Sequence, residues 1–387
     1  MYIIYCEEIN LYISKFLLNI DIVNWRSCCK FNYYQKYSLT EYIYKYLPKL
    51  YLSYNIKYLY AHKKYKDIDL YNIPNLKYLL CGNNNNITDK GISHLTNLIK
   101  LQCHTNDKIT DLSIFKLKKL KYLSLDSNHN IKYSVNNLSN LTYLNCNSYI
   151  YENNINKLSN LKSLIIEDNI NITDNLFNNF NKLQTLICNI TILTDNCFQY
   201  ISNLKYLECG ISSFSISHIS NLIFLHTLKL SIYTKIDNIE SFKKLKNLTY
   251  LDCGNISILT DEVLLSLPNL CHLTLISNLF TDNGISTLTN LISLHCSYNN
   301  NISNNSLYYL YNLKCLNLGY NKKINDLGLQ TLTNLTYLHC GTNDNITDLS
   351  INKLHNLTYL HTGNNINISN KTISNLHKLK FLNIGYN

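Results

Sequence analysis

The sequence predicts an α/β solenoid: a curved array with a parallel inner sheet and short outer helices, preceded by a small α-helical N-terminal domain. Three observations carry this. LTNLTYLHCGTNDNITDLSINKL (332–354) nearly restates the block before it, LYNLKCLNLGYNKKINDLGLQTL, and the block after it, LHNLTYLHTGNNINISNKTISNL. Each copy opens with apolar residues at period two and closes with apolar residues three apart, a strand followed by a short helical turn. Residues 1–47 carry no copy of this line and have helical apolar spacing instead.

Bulk composition sets the frame. The chain has 387 residues, 46% of them hydrophobic, enough for a large core, and a repeat array makes one long unit of such a length. Net charge is +10 with 16% charged residues and no dense Lys/Arg block, which permits an acidic partner without demanding one. Glu7 and Glu8 fall where a signal peptide would be apolar, and no run of about 18 apolar residues exists to span a membrane. The chain is therefore expected to be intracellular, cytoplasmic or nuclear and not secreted, with no membrane association. Its 14 cysteines are then expected to be thiols.

The N-terminal element reads YCEEINLYISKFLLNIDIVNWRSCCKFNYY, with Ile9, Ile13, Phe16 and Leu17 on one helical face. Ile22, Trp25 and Cys29 fall on a second, which Asp21 is placed to cap. Tyr5-Cys6-Glu7-Glu8, Ile13 through Leu17, Asp21-Ile22 and Cys28-Cys29-Lys30 follow one another without a gap, and this spacing resembles the F-box. The resemblance implies docking on the Skp-type adaptor of a cullin–RING ubiquitin ligase, through Glu8, Ile9, Ile13, Leu17, Asp21, Ile22, Cys29 and Lys30. The chain departs from the family where Tyr5-Cys6 replaces Leu-Pro and Asn32 the late Trp, which weakens the adaptor-contacting edge. The alternative is a plain helical cap that shields the first repeat from water.

Residues 48–75 read as a connector with a degenerate first repeat at Ile56, followed by Leu59 and Ala61. The array proper is 76–387. Its anchors, from Leu76, Leu98 and Leu120 to Leu335, Leu357 and Leu379, are fifteen copies 20 to 23 residues apart. The line L-x-x-L-x-L-x-x-N/C-x-L is that of the leucine-rich repeat family, which the chain resembles over 56–387; the resemblance implies a horseshoe. Asn84, Asn106, Asn128, Asn169, Asn278, Asn299, Asn321, Asn343, Asn365 and Asn387 share a slot suited to a buried amide ladder. Mid-array the slot holds Tyr149, Thr191, Ser212, Tyr233 and Ile256, where looser turns are expected. Thr and Asp, as in Thr347-Asp348, read as helix N-caps. Cys81, Cys103, Cys146, Cys188, Cys209, Cys253, Cys296 and Cys340 occupy a core slot elsewhere filled by Leu, so they read as small buried hydrophobes. Neighbours such as Cys81 and Cys103 would be near enough for a disulfide on distance alone.

No phosphate loop, G-x-S-x-G or H-E-x-x-H occurs, so the chain reads as a non-enzyme with no cofactor. The outward strand slots carry Tyr78, Tyr122, Tyr143, Tyr206, Tyr250, Tyr337, Tyr359 and Phe381, then Glu208, Asp252, His295, Asn317, His339, His361 and Asn383. Tyr buries large area at little entropic cost, which points to a binding face, against the simpler reading of β-propensity. The target-binding set on the concave face is His295, Asn317, Tyr337, His339, Tyr359, His361, Phe381 and Asn383. Gly319, Gly341, Gly363 and Gly385 are expected to leave room for a partner, and the last strand, in FLNIGYN, to have its edge covered by the target or a second copy. A metal at His339 and His361 lacks a third ligand, and base stacking on the Tyr column is disfavoured by the mid-array acids. The resemblance to both families together implies a substrate receptor of an SCF-type ligase; the alternative is a binding scaffold without a ligase link.

Overall fold

A Leu-x-x-Leu-x-Leu segment can bury its leucines only against another segment of the same kind, so each copy needs its neighbours. The computed structural model describes residues 56–387 except 147–148, 190, 211–213, 277–278, 342 and 386–387. The residues assigned to the F-box-like segment lie outside those described. The chain divides between Leu161 and Lys162 into two compact units.

In the first unit, β1 (Tyr58–Tyr60), β2 (Tyr78–Leu80), β3 (Lys100–Gln102), β4 (Tyr122–Ser124) and β5 (Tyr143–Cys146) pair in sequence order, all parallel and in register. Leu59, Leu79, Leu101, Leu123 and Leu144 stack at 0% exposure, so Ile56 does open a strand-bearing repeat. The second unit continues the scheme with β6 (Ser163–Ile166), β7 (Thr185–Cys188), β8 (Tyr206–Cys209) and β9 (Thr227–Lys229). Then come β10 (Tyr250–Asp252), β11 (His272–Thr274), β12 (Ser293–His295) and β13 (Cys315–Asn317). The last are β14 (Tyr337–His339), β15 (Tyr359–His361) and β16 (Phe381–Asn383). These too pair parallel, each with its sequence neighbours. Leu382 on β16 is 44% exposed where Leu360 on β15 is fully buried, because no further described strand covers it.

Three ladders of polar side chains tie successive repeats. The buried Asn slot is the first. Asn343 Nδ2 donates to the carbonyls of Asn321 and Ile324, both at 2.8 Å, and its Oδ1 accepts from Asn345 N at 3.1 Å. Asn84, Asn106 and Asn365 repeat the pattern. The second ladder is the Asn just before most anchor leucines, with Lys119, Lys182, Phe224 and Lys378 in its place in four copies: Asn334 donates to Tyr311 O at 2.8 Å and Asn356 to Thr333 O at 3.0 Å. The third joins the outer segments. Thr347 caps its own segment by accepting from Leu349 N, as its sequence position predicts. Asp, however, is not the cap: Asp326 sits one position inside and takes the Thr347 N–H at 2.8 Å and its hydroxyl at 2.7 Å from the following repeat.

Where the Asn slot is substituted the scheme changes. In the second unit β7 and β8, with Thr191 and Ser212 in the slot, have four residues, as does β6 beside them, whose slot keeps Asn169. The outer segments Asp195–Gln199 and Ile239–Lys244, after Thr191 and Tyr233, are 3₁₀ turns, while Ile216–Ile219 and Asp261–Leu265, after Ser212 and Ile256, are α-helical. At Tyr233 the turn is satisfied locally, by Ser231 N donating to Thr234 Oγ1 and Tyr233 N to Ser231 Oγ. The eight cysteines of the column are all buried and free. Removal from water raises their thiols, to about 12 at Cys209, Cys296 and Cys340, so they pack as neutral hydrophobes.

Candidate functional site

Period-two alternation sends two residues of each three-residue strand outward, and in-register parallel pairing sets like slots on rungs about 4.8 Å apart. In the second unit this builds two columns. His295, Asn317, His339, His361 and Asn383 face one another rung to rung in one, and Tyr337, Tyr359 and Phe381 in the other. The structure thus brings together all eight residues that the sequence marks as a target-binding set.

The contacts within the columns are close. The Tyr337 and Tyr359 rings stack at 4.4 Å and 11°, and Phe381 follows tilted at 6.3 Å from Tyr359. His339 and His361 meet edge to face at 4.0 Å. Asn317 and Asn383 spend their Oδ1 atoms on the fold itself, accepting from Gly319 N and Gly385 N at 3.0 Å. Burial lowers the pKa of His295, His339 and His361 below the usual imidazole value; the adjacent His361 lowers His339 further, while Asp252 partly offsets the effect at His295.

Among the glycines expected to leave room for a partner, Gly341 has a role within the fold. Gly341 holds φ +54°, and a Cβ there would lie 2.3 Å from the Gly319 carbonyl oxygen of the previous rung. Its missing side chain admits the neighbouring backbone, not a partner.

The mid-array acids also change meaning. Lys229, on the rung between Glu208 and Asp252, bonds Glu208 Oε2 at 2.9 Å, and Tyr206 Oη donates to the same oxygen at 2.7 Å. Burial alone would raise the Glu208 carboxyl, but these two bonds outweigh it and the net shift is downward. Asp252 goes the other way: burial raises it, against the Gly254 N–H it accepts. The zone is an alternating row, not an acidic patch. Sequence reading passed over Lys229 although it occupies the same slot as Glu208. It also passed over Cys315, whose Sγ lies 3.6 Å from His295 Nε2. Burial raises that thiol and lowers that imidazole, so the pair stays neutral and supplies no thiolate. Among the described residues no three His, Cys, Asp or Glu are grouped to hold a metal, and no helix is long and apolar enough to cross a membrane.

No protein-family model matches the sequence, and no curated protein does. Solved structures do. A leucine-rich repeat protein of Leptospira interrogans is similar at 23% identity and TM-score 0.55, over 87% of this chain and 98% of that one. An internalin of Listeria monocytogenes matches at 23% identity and TM-score 0.42, over 86% and 88%. The functional domain of InlJ of Listeria monocytogenes, which includes a cysteine ladder, matches at 26% identity and TM-score 0.46, over 84% and 67%. The likeness to the Leptospira protein agrees with the strand order and register: the fold is a leucine-rich repeat solenoid.

Proposed function

We propose that this leucine-rich repeat chain is a non-enzymatic scaffold for protein binding, with its target laid across the outward face of β12 to β16. One observation carries the reading: two adjacent columns, one aromatic and one imidazole-amide, run through consecutive rungs with their side chains already ordered by stacking. Pre-ordered aromatics lose little entropy on burial, which is why Tyr is enriched at interface hot spots. The test is affinity capture from cells with the Tyr337, Tyr359 and His339 triple alanine variant. Tyr308 and Tyr309, exposed beyond the outer segment Asn304–Leu307, provide the control. Partner loss from the triple variant alone is expected; equal loss from both, or loss from the control alone, excludes this face.

A second reading adds a ligase link, favoured by the gap-free spacing from Glu8 to Lys30. Residues 1–47 would dock a Skp-type adaptor, making the chain an intracellular substrate receptor of an SCF-type cullin–RING ligase whose catalysis belongs to other subunits. Leu17→Asp or Ile22→Asp should then remove the adaptor from the captured set while the late-face target stays. If the unmodified chain captures no adaptor, the scaffold reading stands without the ligase.

A further inference from the structure

We infer that the first unit carries a separate docking surface for an extended acidic peptide segment of a protein partner. The inference rests on reading the chain as a protein-binding scaffold, and it concerns the strands β1 to β5, not β12 to β16 assigned above.

Negative charge is confined to one part of each repeat in this unit. Every carboxylate of residues 56–161, from Asp67 to Glu152, lies between the end of a strand and the end of the outer segment that follows. The outward slots of β1 to β5 hold none. Lysines stand in both places: Lys63, Lys64, Lys66, Lys90, Lys108 and Lys132 share the outer stretches with the carboxylates, while those slots and the edge where the strands begin carry lysines and no carboxylate. Lys100 stands outward on β3, Lys77 and Lys121 immediately precede β2 and β4, and Lys118 and Lys119 flank the same edge. Lys118, Lys119 and Lys121 are exposed. Their amines are partly positioned: Lys119 Nζ donates to Asn97 Oδ1 at 2.7 Å, and Lys118 Nζ lies 4.1 Å over the Phe115 ring. A row of cations with no interspersed anion selects an acidic partner and repels a basic one.

The aromatic groups of the same face choose between kinds of anion. The Tyr122 and Tyr143 rings are stacked at 3.8 Å and 5°, and Lys100 Nζ sits 4.0 Å over the Tyr122 ring. Lys100 comes from the strand before Tyr122 and Tyr143 from the strand after, so both faces of the Tyr122 ring are taken. A nucleobase needs an open ring face on which to stack. A carboxylate needs only the ammonium groups, and an apolar side chain only the ring edges. Around Tyr122 the surface therefore favours an acidic peptide over a stacked nucleobase.

The experiment uses the full chain and fluorescence anisotropy with three labelled probes. One is a peptide alternating glutamate and serine around a central leucine, the second has glutamine in place of every glutamate, and the third is an oligo-dT of matched charge. The glutamate peptide should bind, and should weaken as salt rises past about 0.1 M, where the Debye length falls to about 10 Å. Lys100→Glu should weaken it about tenfold or more, since like charges across an interface are strongly unfavourable. The pair Lys118→Glu and Lys121→Glu, at exposed positions that keep the fold intact, should do the same. Lys314→Glu on the second unit and the late-face triple variant should leave it unchanged, which separates failure here from failure of the late-face reading. Equal binding of the glutamine peptide overturns the proposal, as does binding of oligo-dT with no binding of the glutamate peptide, or indifference to all the lysine reversals.

Discussion

At Asn343 one side chain closes three backbone groups that nothing else in the turn can satisfy: the carbonyls of Asn321 and Ile324 and the N–H of Asn345. The residue is fully buried, so water cannot replace it. Asn343→Ala should cost about 2 to 4 kcal/mol in urea unfolding, since each buried orphan costs about 1 to 3 kcal/mol and the losses are not additive. Gly341→Ala makes the complementary case. Nothing is lost there but room, yet the positive φ and the approach of Gly319 O forbid a methyl group. About 2 kcal/mol or more is expected by the same measurement. Asn247→Ala, which removes only an exposed bond to Ile223 O, should cost well under that.

At the scale of the element, a strand here is three or four residues with one Leu buried at its centre, except at β16, and its persistence depends on the rungs beside it. The cysteine column follows from this. A thiol directly after a three-residue strand, or closing a four-residue one, points back into the core, as at Cys340 and Cys188. Burial raises these thiols, and a protonated, inaccessible thiol reacts slowly. Of the eleven described cysteines nine are buried, and only Cys271 and Cys315 are partly exposed. Under native conditions a thiol reagent read by peptide mapping should therefore modify Cys271 and Cys315 first and spare Cys81, Cys103, Cys296 and Cys340 until denaturant is added. Early labelling of those four would contradict the packing.

For the molecule as a whole the response to acid should come in two stages. His295, His339 and His361 have folded-state pKa values lowered mainly by burial, so the unfolded chain takes up their protons more readily. Their contribution to stability is complete above the unfolded value of about 6.5 and is lost as pH falls below it. An unperturbed imidazole would centre its charge change near pH 6.5; here the change in the folded protein, and in any binding at the late face, moves to the acid side of that value. Glu208, Asp237 and Asp348 have lowered carboxyls, so the stability they contribute is present above the ordinary carboxylate range and lost as pH falls through it. Asp252, raised by burial, acts in the opposite sense there. Urea midpoints from pH 8 to pH 3 should show a decline beginning near 6.5. Combined His339→Gln and His361→Gln should flatten that first stage and leave the second.

Much of the fold was legible because it is written in local terms. The period of 20 to 23 residues, the central Leu of each strand, the Thr cap and the outward Tyr and His slots all follow from the alternation of apolar residues within one copy. Outward position is set by that alternation alone, which is why the eight late-face residues could be named before any rung was placed beside another. The sequence by itself therefore determined the repeat, its core and its outward columns. What lies between copies could be settled only by the tertiary structure. The Asp326 carboxylate finds its donors at Thr347, and Asn334 its acceptor at Tyr311, each about one repeat away. Gly341 is constrained by Gly319, Glu208 is neutralised by Lys229, and the three imidazoles are shifted by burial under neighbouring rungs. A hydrogen bond, a clash or a desolvation cost depends on distance through space. In a solenoid the nearest neighbour in space is a residue about one full repeat away along the chain, beyond the reach of local propensity.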